Sequence, residues 1–166
     1  MTKANGPLFA IHYRRRREGK TDYAKRLALL KSRKPRLVIR KTNRNLVAQV
    51  VEFTQVGDKV IAFATSQELN EHGKGNKCNT PSAYLTGFAV GKRAKEKKIT
   101  DVVVDLGRQT ASKGSLLFAV VKGALDAGLT TDVDSEKLPK LERMQGKHLN
   151  EKVQTAFDKA KKKLAA

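Results

Sequence analysis

Apolar residues recur with two different periods along this chain. Tyr23, Leu27 and Leu30 fall four and three apart, the spacing of one helix face, while Lys25, Arg26 and Lys31 point elsewhere. Thr21 is expected to cap this short helix, with Asp22 in the first turn and Pro35 as the stop. The period then drops to two. Arg36 to Lys41 puts Leu37 and Ile39 on one side, Val38 and Arg40 on the other. Leu46 to Thr54, rich in Val, and Val60 to Thr65 read as two further strands. Between them lie Thr42-Asn43-Arg44-Asn45, where Asn tolerates left-handed backbone, and Gln55 to Lys59 with Gly57-Asp58. Three strands joined by short turns predict an antiparallel meander.

Helical spacing then returns. Thr80-Pro81 opens a helix, Thr as the cap and Pro in the first turn, with Tyr84, Leu85, Phe88 and Ala89 as its buried face and Lys92 to Lys98 as a solvated basic end. Asp101 to Leu106 is a strand around Val102-Val103-Val104, apolar enough for burial on both faces, as in a parallel or central strand. After a flexible loop, Gly107 to Gly114, a second helix carries Leu116, Leu117, Val120, Val121, Ala124 and Leu125, and Gly128 caps its end. A polar linker leads to an amphipathic helix capped by Asn150 and lined by Val153, Ala156, Phe157, Ala160 and Leu164, a face that must bury against the core or a neighbour. The expected fold class is mixed α/β (α+β). Its three-stranded antiparallel meander and helix-strand-helix form a ribonuclease H-like core, with a basic N-terminal arm and a C-terminal helical extension. The boundaries fall at 1–35 for the arm and short helix, 36–130 for the core and 131–166 for the extension.

Charge changes this picture most. The 166 residues hold 35 Lys and Arg against 16 Asp and Glu, a formal +19 with a pI near 10.3; at 39% apolar residues they supply one modest core. The first fifty residues carry fifteen Lys and Arg against Glu18 and Asp22, a net of +13. A surplus this concentrated calls for a polyanion. The run Arg14 to Arg17 repels itself and reads as an arm that orders on its partner. A membrane partner fits poorly: no run of 18 apolar residues exists, the N-terminus shows no signal-peptide core, and the basic segment lacks a broad apolar face. The lone Cys78 forms no internal disulfide, which fits a reducing cytosol.

Catalytic readings fare badly. Gly87 to Lys92 has three residues between its glycines where a phosphate loop needs four, and Arg93 where Ser or Thr belongs, so these are expected to be helix-packing glycines. One Cys beside His72 makes no tetrahedral metal site. A ribonuclease H-like nuclease needs clustered carboxylates for two magnesium ions. Asp105 suits one ligand, but the first strand has no acid and the following helix has only Glu96 at its solvated end, so Asp105 is expected to order a strand end or loop. His12, His72 and His148 are scattered through loops. No cofactor is implied.

The basic segment carries the chemistry instead. The arginine fork of Arg14, Arg15, Arg16 and Arg17 matches phosphate oxygens along a backbone, and Tyr13 is placed to stack on an exposed base. Lys20, Lys25, Arg26, Arg33 and Lys34 extend the cationic surface. Arg40, Lys41, Thr42, Asn43 and Arg44 combine phosphate donors with amides that read base edges or 2′-hydroxyls. RNA is favoured over DNA because no helix-turn-helix, zinc finger or zipper is present.

Four blocks then resemble one family. The stretch from Tyr13 to Ser32 (YRRRREGKTDYAKRLALLKS), with Lys34 to Asn43 (KPRLVIRKTN), is similar to the archaeal and eukaryotic branch of the large-subunit ribosomal protein L-eighteen family; so are Gly75 to Gly87 (GNKCNTPSAYLTG) and Gly114 to Gly128 (GSLLFAVVKGALDAG). Arg143 to His148 looks like the archaeal extension, and the short length resembles the archaeal type. The resemblance implies a non-enzymatic structural protein of the cytoplasmic large ribosomal subunit, in the central protuberance. Its implied partners are 5S rRNA as principal ligand, large-subunit rRNA, and neighbouring ribosomal proteins including a second 5S-associated one. Carried over by position, Arg14 to Arg17, Lys20, Arg36, Arg40, Lys41, Thr42, Asn43 and Arg44 should meet RNA, as should Lys74, Lys77 and Asn79. The sequence departs from its relatives at Arg108 to Lys113, where they often contain proline, and contacts are not carried over there.

Overall fold

A computed structural model describes residues 6–69, 78–147, 149 and 151–165. Its elements are α1 (Arg14–Arg17), α2 (Tyr23–Lys31), β1 (Arg36–Lys41), β2 (Leu46–Phe53), β3 (Asp58–Thr65), α3 (Thr80–Glu96), β4 (Val103–Asp105), α4 (Leu116–Asp126), α5 (Leu141–Met144) and α6 (Glu151–Ala165), with a 3₁₀ turn at Ser135–Lys137. Among these, no helix is long and apolar enough to cross a membrane.

The meander is present. β1 pairs antiparallel with β2, Leu37 opposite Val50 and Ile39 opposite Ala48, and β2 pairs antiparallel with β3 with a register shift at Val50/Val51. β4 adds to β1 in parallel, giving the order β3-β2-β1-β4. β4 is therefore parallel, as its apolar run predicts, but shorter than expected and at an edge, with Val103 and Val104 only half-buried. The chain after α4 flanks its start: the Thr130 carbonyl accepts from Val102 N at 3.0 Å, and Thr130 N donates to the Thr100 carbonyl at 2.8 Å. Val102 is buried by that passage.

Period-two patterning sends one face of the sheet inward. Leu37, Ile39, Leu46, Ala48 and Val50 are fully buried, and Ala62 and Ala64 nearly so. α3 and α4 cover this face, and Gly87 and Gly123 explain how closely. A Cβ on Gly87 would land on the Val120 carbonyl, and one on Gly123 on the Tyr84 carbonyl. The two helices touch backbone to backbone, so the glycines of the would-be phosphate loop are packing residues.

The ends of the helices correct two expectations by one residue. Asp22, not Thr21, caps α2, its carboxylate accepting from Lys25 N at 3.1 Å. Asn79, not Thr80, caps α3, accepting from Ser82 N at 2.9 Å, with Pro81 in the first turn. Gly128 follows the end of α4 in the left-handed region, at φ +105. The expected cap of α6, Asn150, lies outside the described residues.

α6 folds back on its own core. Phe157 and Ala160 are each 3% exposed, and the Phe157 ring sits 5.7 Å from Tyr84 of α3. Lys161 Nζ stands 5.5 Å over that tyrosine ring, and the Tyr84 hydroxyl, its pKa pushed up by burial and then by Asp126, donates to Asp126 at 2.9 Å. Lys92 Nζ reaches the Leu164 carbonyl at 3.0 Å. The basic end of α3 is thus partly engaged rather than wholly solvated. Along β3, the open edge of the sheet, Arg93 and Lys97 donate to the carbonyls of Phe63 and Ile61, and Arg93 also pairs with Glu68 at 2.7 Å.

Candidate nucleic-acid interface

The arginine run is more ordered than its charge suggests. Arg14–Arg17 forms one helical turn, with Arg16 N and Arg17 N each 3.0 Å from the Tyr13 carbonyl. Local contacts offset the repulsion. Glu18 lies 2.8 Å from Lys20 and 3.5 Å from Arg14, and Arg15 Nε donates to Thr21 Oγ1 at 2.8 Å. The hydrogen bond from Lys20, then the charges of Lys20, Arg15 and Arg17, hold the Glu18 carboxyl below its ordinary range, against a smaller desolvation effect. The Tyr13 ring tilts against Tyr23 at 5.6 Å, joining α1 to α2. All residues from Ile11 to Lys20 are exposed.

The next cations are not all free for RNA. Arg36 is the main correction. It is 2% exposed, donating to Asp105 Oδ2 at 2.9 Å and to Asp58 Oδ2 at 2.7 Å. Asp58 is also gripped by Arg26, at 2.8 Å and 2.9 Å to its two oxygens. Arg40 donates to the carbonyls of Ile39 and Asp105, both at 2.8 Å, and reaches Asp105 Oδ1 at 3.2 Å. Arg26, Asp58, Arg36, Asp105 and Arg40 thus alternate in sign along one chain of ion pairs. A guanidinium this enclosed must be paired where it stands, so Arg36 is internal, while Arg26 and Arg40 each spend part of their fork on the protein. Partial burial raises the Asp58 carboxyl, but the hydrogen bonds and charges of Arg36 and Arg26 outweigh it and leave the carboxyl below its ordinary value.

Asp105 stands at the end of β4 with both carboxylate oxygens engaged. Oδ1 accepts from Gly107 N at 2.8 Å as well as from Arg40, and Oδ2 from Arg36. Both oxygens serve to order the strand end and the loop after it. Lys25 Nζ adds a bond to the Gly107 carbonyl at 3.1 Å.

The β1–β2 turn takes the form its residues predict. Thr42 Oγ1 donates to the Asn45 carbonyl at 2.9 Å and accepts from Asn45 N at 3.0 Å, so the hydroxyl is spent on the turn. Lys41, Asn43 and Arg44 are exposed. This turn and the loop after β4 enclose a concavity of about 420 Å³ that includes Lys41, Asn43, Arg108 and Gln109. Arg108, left aside in the sequence because its loop departs from the relatives, is exposed and carries no ion pair among the described residues. A Cβ on Gly19 would stand 3.4 Å from its guanidinium. Arg108 therefore bridges the arm and the turn, and no spacing in the sequence announces that.

The remaining expected residues divide. Arg33, at φ 55, and Lys34 are exposed between α2 and β1. Asn79 is half-buried and occupied as a helix cap. Lys74, Lys77, His72 and His148 lie outside the described residues. His12 is exposed.

A mixed α/β core with its positive charge concentrated in the first fifty residues defines a class, the basic α/β proteins suited to a polyanionic partner. Residues 8–103 match the family model described as ribosomal large subunit proteins 60S L5 and 50S L18, and this chain belongs to that family. It is 50% identical over 148 residues to the large ribosomal subunit protein uL18 of Korarchaeum cryptofilum, an alignment covering 88% of this chain and 75% of that relative. The archaeal character read from the sequence agrees with that relative. The family match begins in the arm and ends at the start of β4, so it takes in the arginine turn, α2 and the β1–β2 turn.

Proposed function

We propose that this protein holds 5S rRNA within the large ribosomal subunit, in the central protuberance, as a structural component without catalytic activity. Its further partners on this reading are large-subunit rRNA and neighbouring ribosomal proteins, among them a second one associated with 5S rRNA, all in the cytoplasm. The 1–35 arm and the first turn of the 36–130 core supply the RNA contacts, while the 131–166 extension completes the core. The observation that carries this reading is the juxtaposition of two exposed cationic elements, Arg14–Arg17 with Lys20, and Lys41 to Arg44, joined through Arg108. Backbone-tracking arginines beside a turn with amide side chains suit folded RNA, where phosphates position and exposed edges specify.

The test is a competition assay at physiological salt, with the protein on labelled 5S rRNA and excess transfer RNA added. Retention of the 5S complex is the expected result. Complete displacement at comparable transfer-RNA concentration would leave a general polyanion binder in its place.

A further inference from the structure

α2 lies close to the core yet shares little apolar surface with it. None of its residues is buried, Tyr23 and Leu27 are 37% and 59% exposed, and none of its side chains joins the core cluster. A cavity of about 820 Å³ separates the helix from the β2–β3 turn and the end of β4. Two side chains reach across. Lys25 Nζ meets the Gly107 carbonyl, and Arg26 grips both oxygens of Asp58.

Asp58 is well suited to receive that grip. Its Oδ2 is already fixed by Arg36 at 2.7 Å, and Arg36 is locked in the interior by Asp105. A carboxylate immobilised from behind presents both oxygens in one orientation, and a single Arg26 nitrogen, Nη2, donates to both, a charge-assisted contact. The pair stands about one-third exposed on the Arg26 side and 27% on the Asp58 side, so ions and water reach it.

We propose that Arg26 and Asp58 are positioning residues for RNA binding, forming an ionic latch that holds α2 in place before RNA arrives. Through the Tyr13–Tyr23 contact the latch also sets α1, so the arginine turn stands beside Arg108 in the free protein. An arm that is ordered beforehand loses less conformational entropy on binding, and the saving appears as affinity. Arg26 acts in this scheme through Asp58 rather than by touching phosphate. The proposal rests on the RNA-binding reading above for its consequence, but not for the latch itself.

The experiment has one readout without RNA and one with it. In the full-length free protein at low salt, Arg26→Ala should raise amide exchange across α2 by roughly fivefold, the size of one well-formed partly exposed ion pair, with core amides unchanged. Unchanged exchange in α2 would overturn the latch. On 5S rRNA, Arg26→Ala should lower affinity by a similar factor with the log–log salt slope intact. A slope reduced by about 0.7–0.9 would instead make Arg26 a direct phosphate contact and overturn the positioning role. Asp58→Asn gives a second check. Removing a negative charge should tighten binding to RNA if only net charge matters, whereas loss of the latch weakens it. Failure of the wild-type protein to prefer 5S rRNA over transfer RNA would remove the RNA reading and leave the exchange result standing.

Discussion

The α3–α4 interface and the α2–core interface hold two helices in place by opposite means. Between α3 and α4, glycines let backbone meet backbone, and the surrounding Leu85, Val90, Val120 and Val121 are fully buried. Between α2 and the core there is a cavity, a carbonyl contact and an ion pair in which one Arg26 nitrogen meets both Asp58 oxygens. The first interface tolerates no extra atom and is indifferent to salt. The second has room to spare and depends on charges that salt screens. The difference separates what must stay folded from what must meet a partner.

Three changes probe that contrast. The largest effect is expected from Gly123→Val. Its side chain would be driven into the Tyr84 carbonyl, and neither helix has a flexible group there to give way. A loss of about 3 kcal/mol, the upper end of overpacking costs, should appear in denaturant or thermal unfolding. A near-neutral result would show that the two helices slide apart easily, and the contrast would weaken.

Next in size is the replacement of Arg14, Arg15, Arg16 and Arg17 by Ala. These side chains are exposed, so core unfolding should hardly change while affinity for 5S rRNA falls steeply. If all four neutralise phosphates, the salt slope should drop by about 3, at roughly 0.7–0.9 for each. A fall in core stability of equal weight would show the arm to be part of the core.

The smallest effect concerns acid. Asp58 is held below its ordinary 3.8 in the folded protein. A depressed carboxyl contributes stability above its unfolded value and loses it as pH falls through the folded one. α2 should therefore stay docked at pH 5 and above, and loosen only below pH 3.8. Proteolysis or exchange confined to residues 14–31 would report it. Release of α2 near neutral pH would mean that another group governs the contact.

Much of the fold was legible because it rests on local spacing. The three strands, α3, α4 and the packing role of Gly87 follow from residues a few positions apart. The face of α6 was also legible, and the structure turns it onto α3. The cap shifts arise where two good capping residues stand side by side. Asp22 takes the cap, while the Thr21 hydroxyl accepts from Arg15. The candidate site was harder to read. Arg36 lies in a strand with Arg40 and Lys41 and shares their charge, but its partners are 22 and 69 residues away. Nothing in local pattern distinguishes an arginine aimed at a polyanion from one aimed at distant aspartates. Arg108 escaped for the converse reason, since only the fold brings its loop against the arm.

The two cations on the outer edge of the sheet have a consequence for life before assembly. Among the described residues β3 has no neighbouring strand on one side, and an open row of carbonyls and amides is a template on which other chains polymerise. Arg93 and Lys97 occupy the carbonyls of Phe63 and Ile61 along that row and leave positive charge over it. A strand from a second copy would have to displace both and bring its own excess charge alongside. Edge-to-edge pairing between two copies of this highly basic chain is thereby disfavoured.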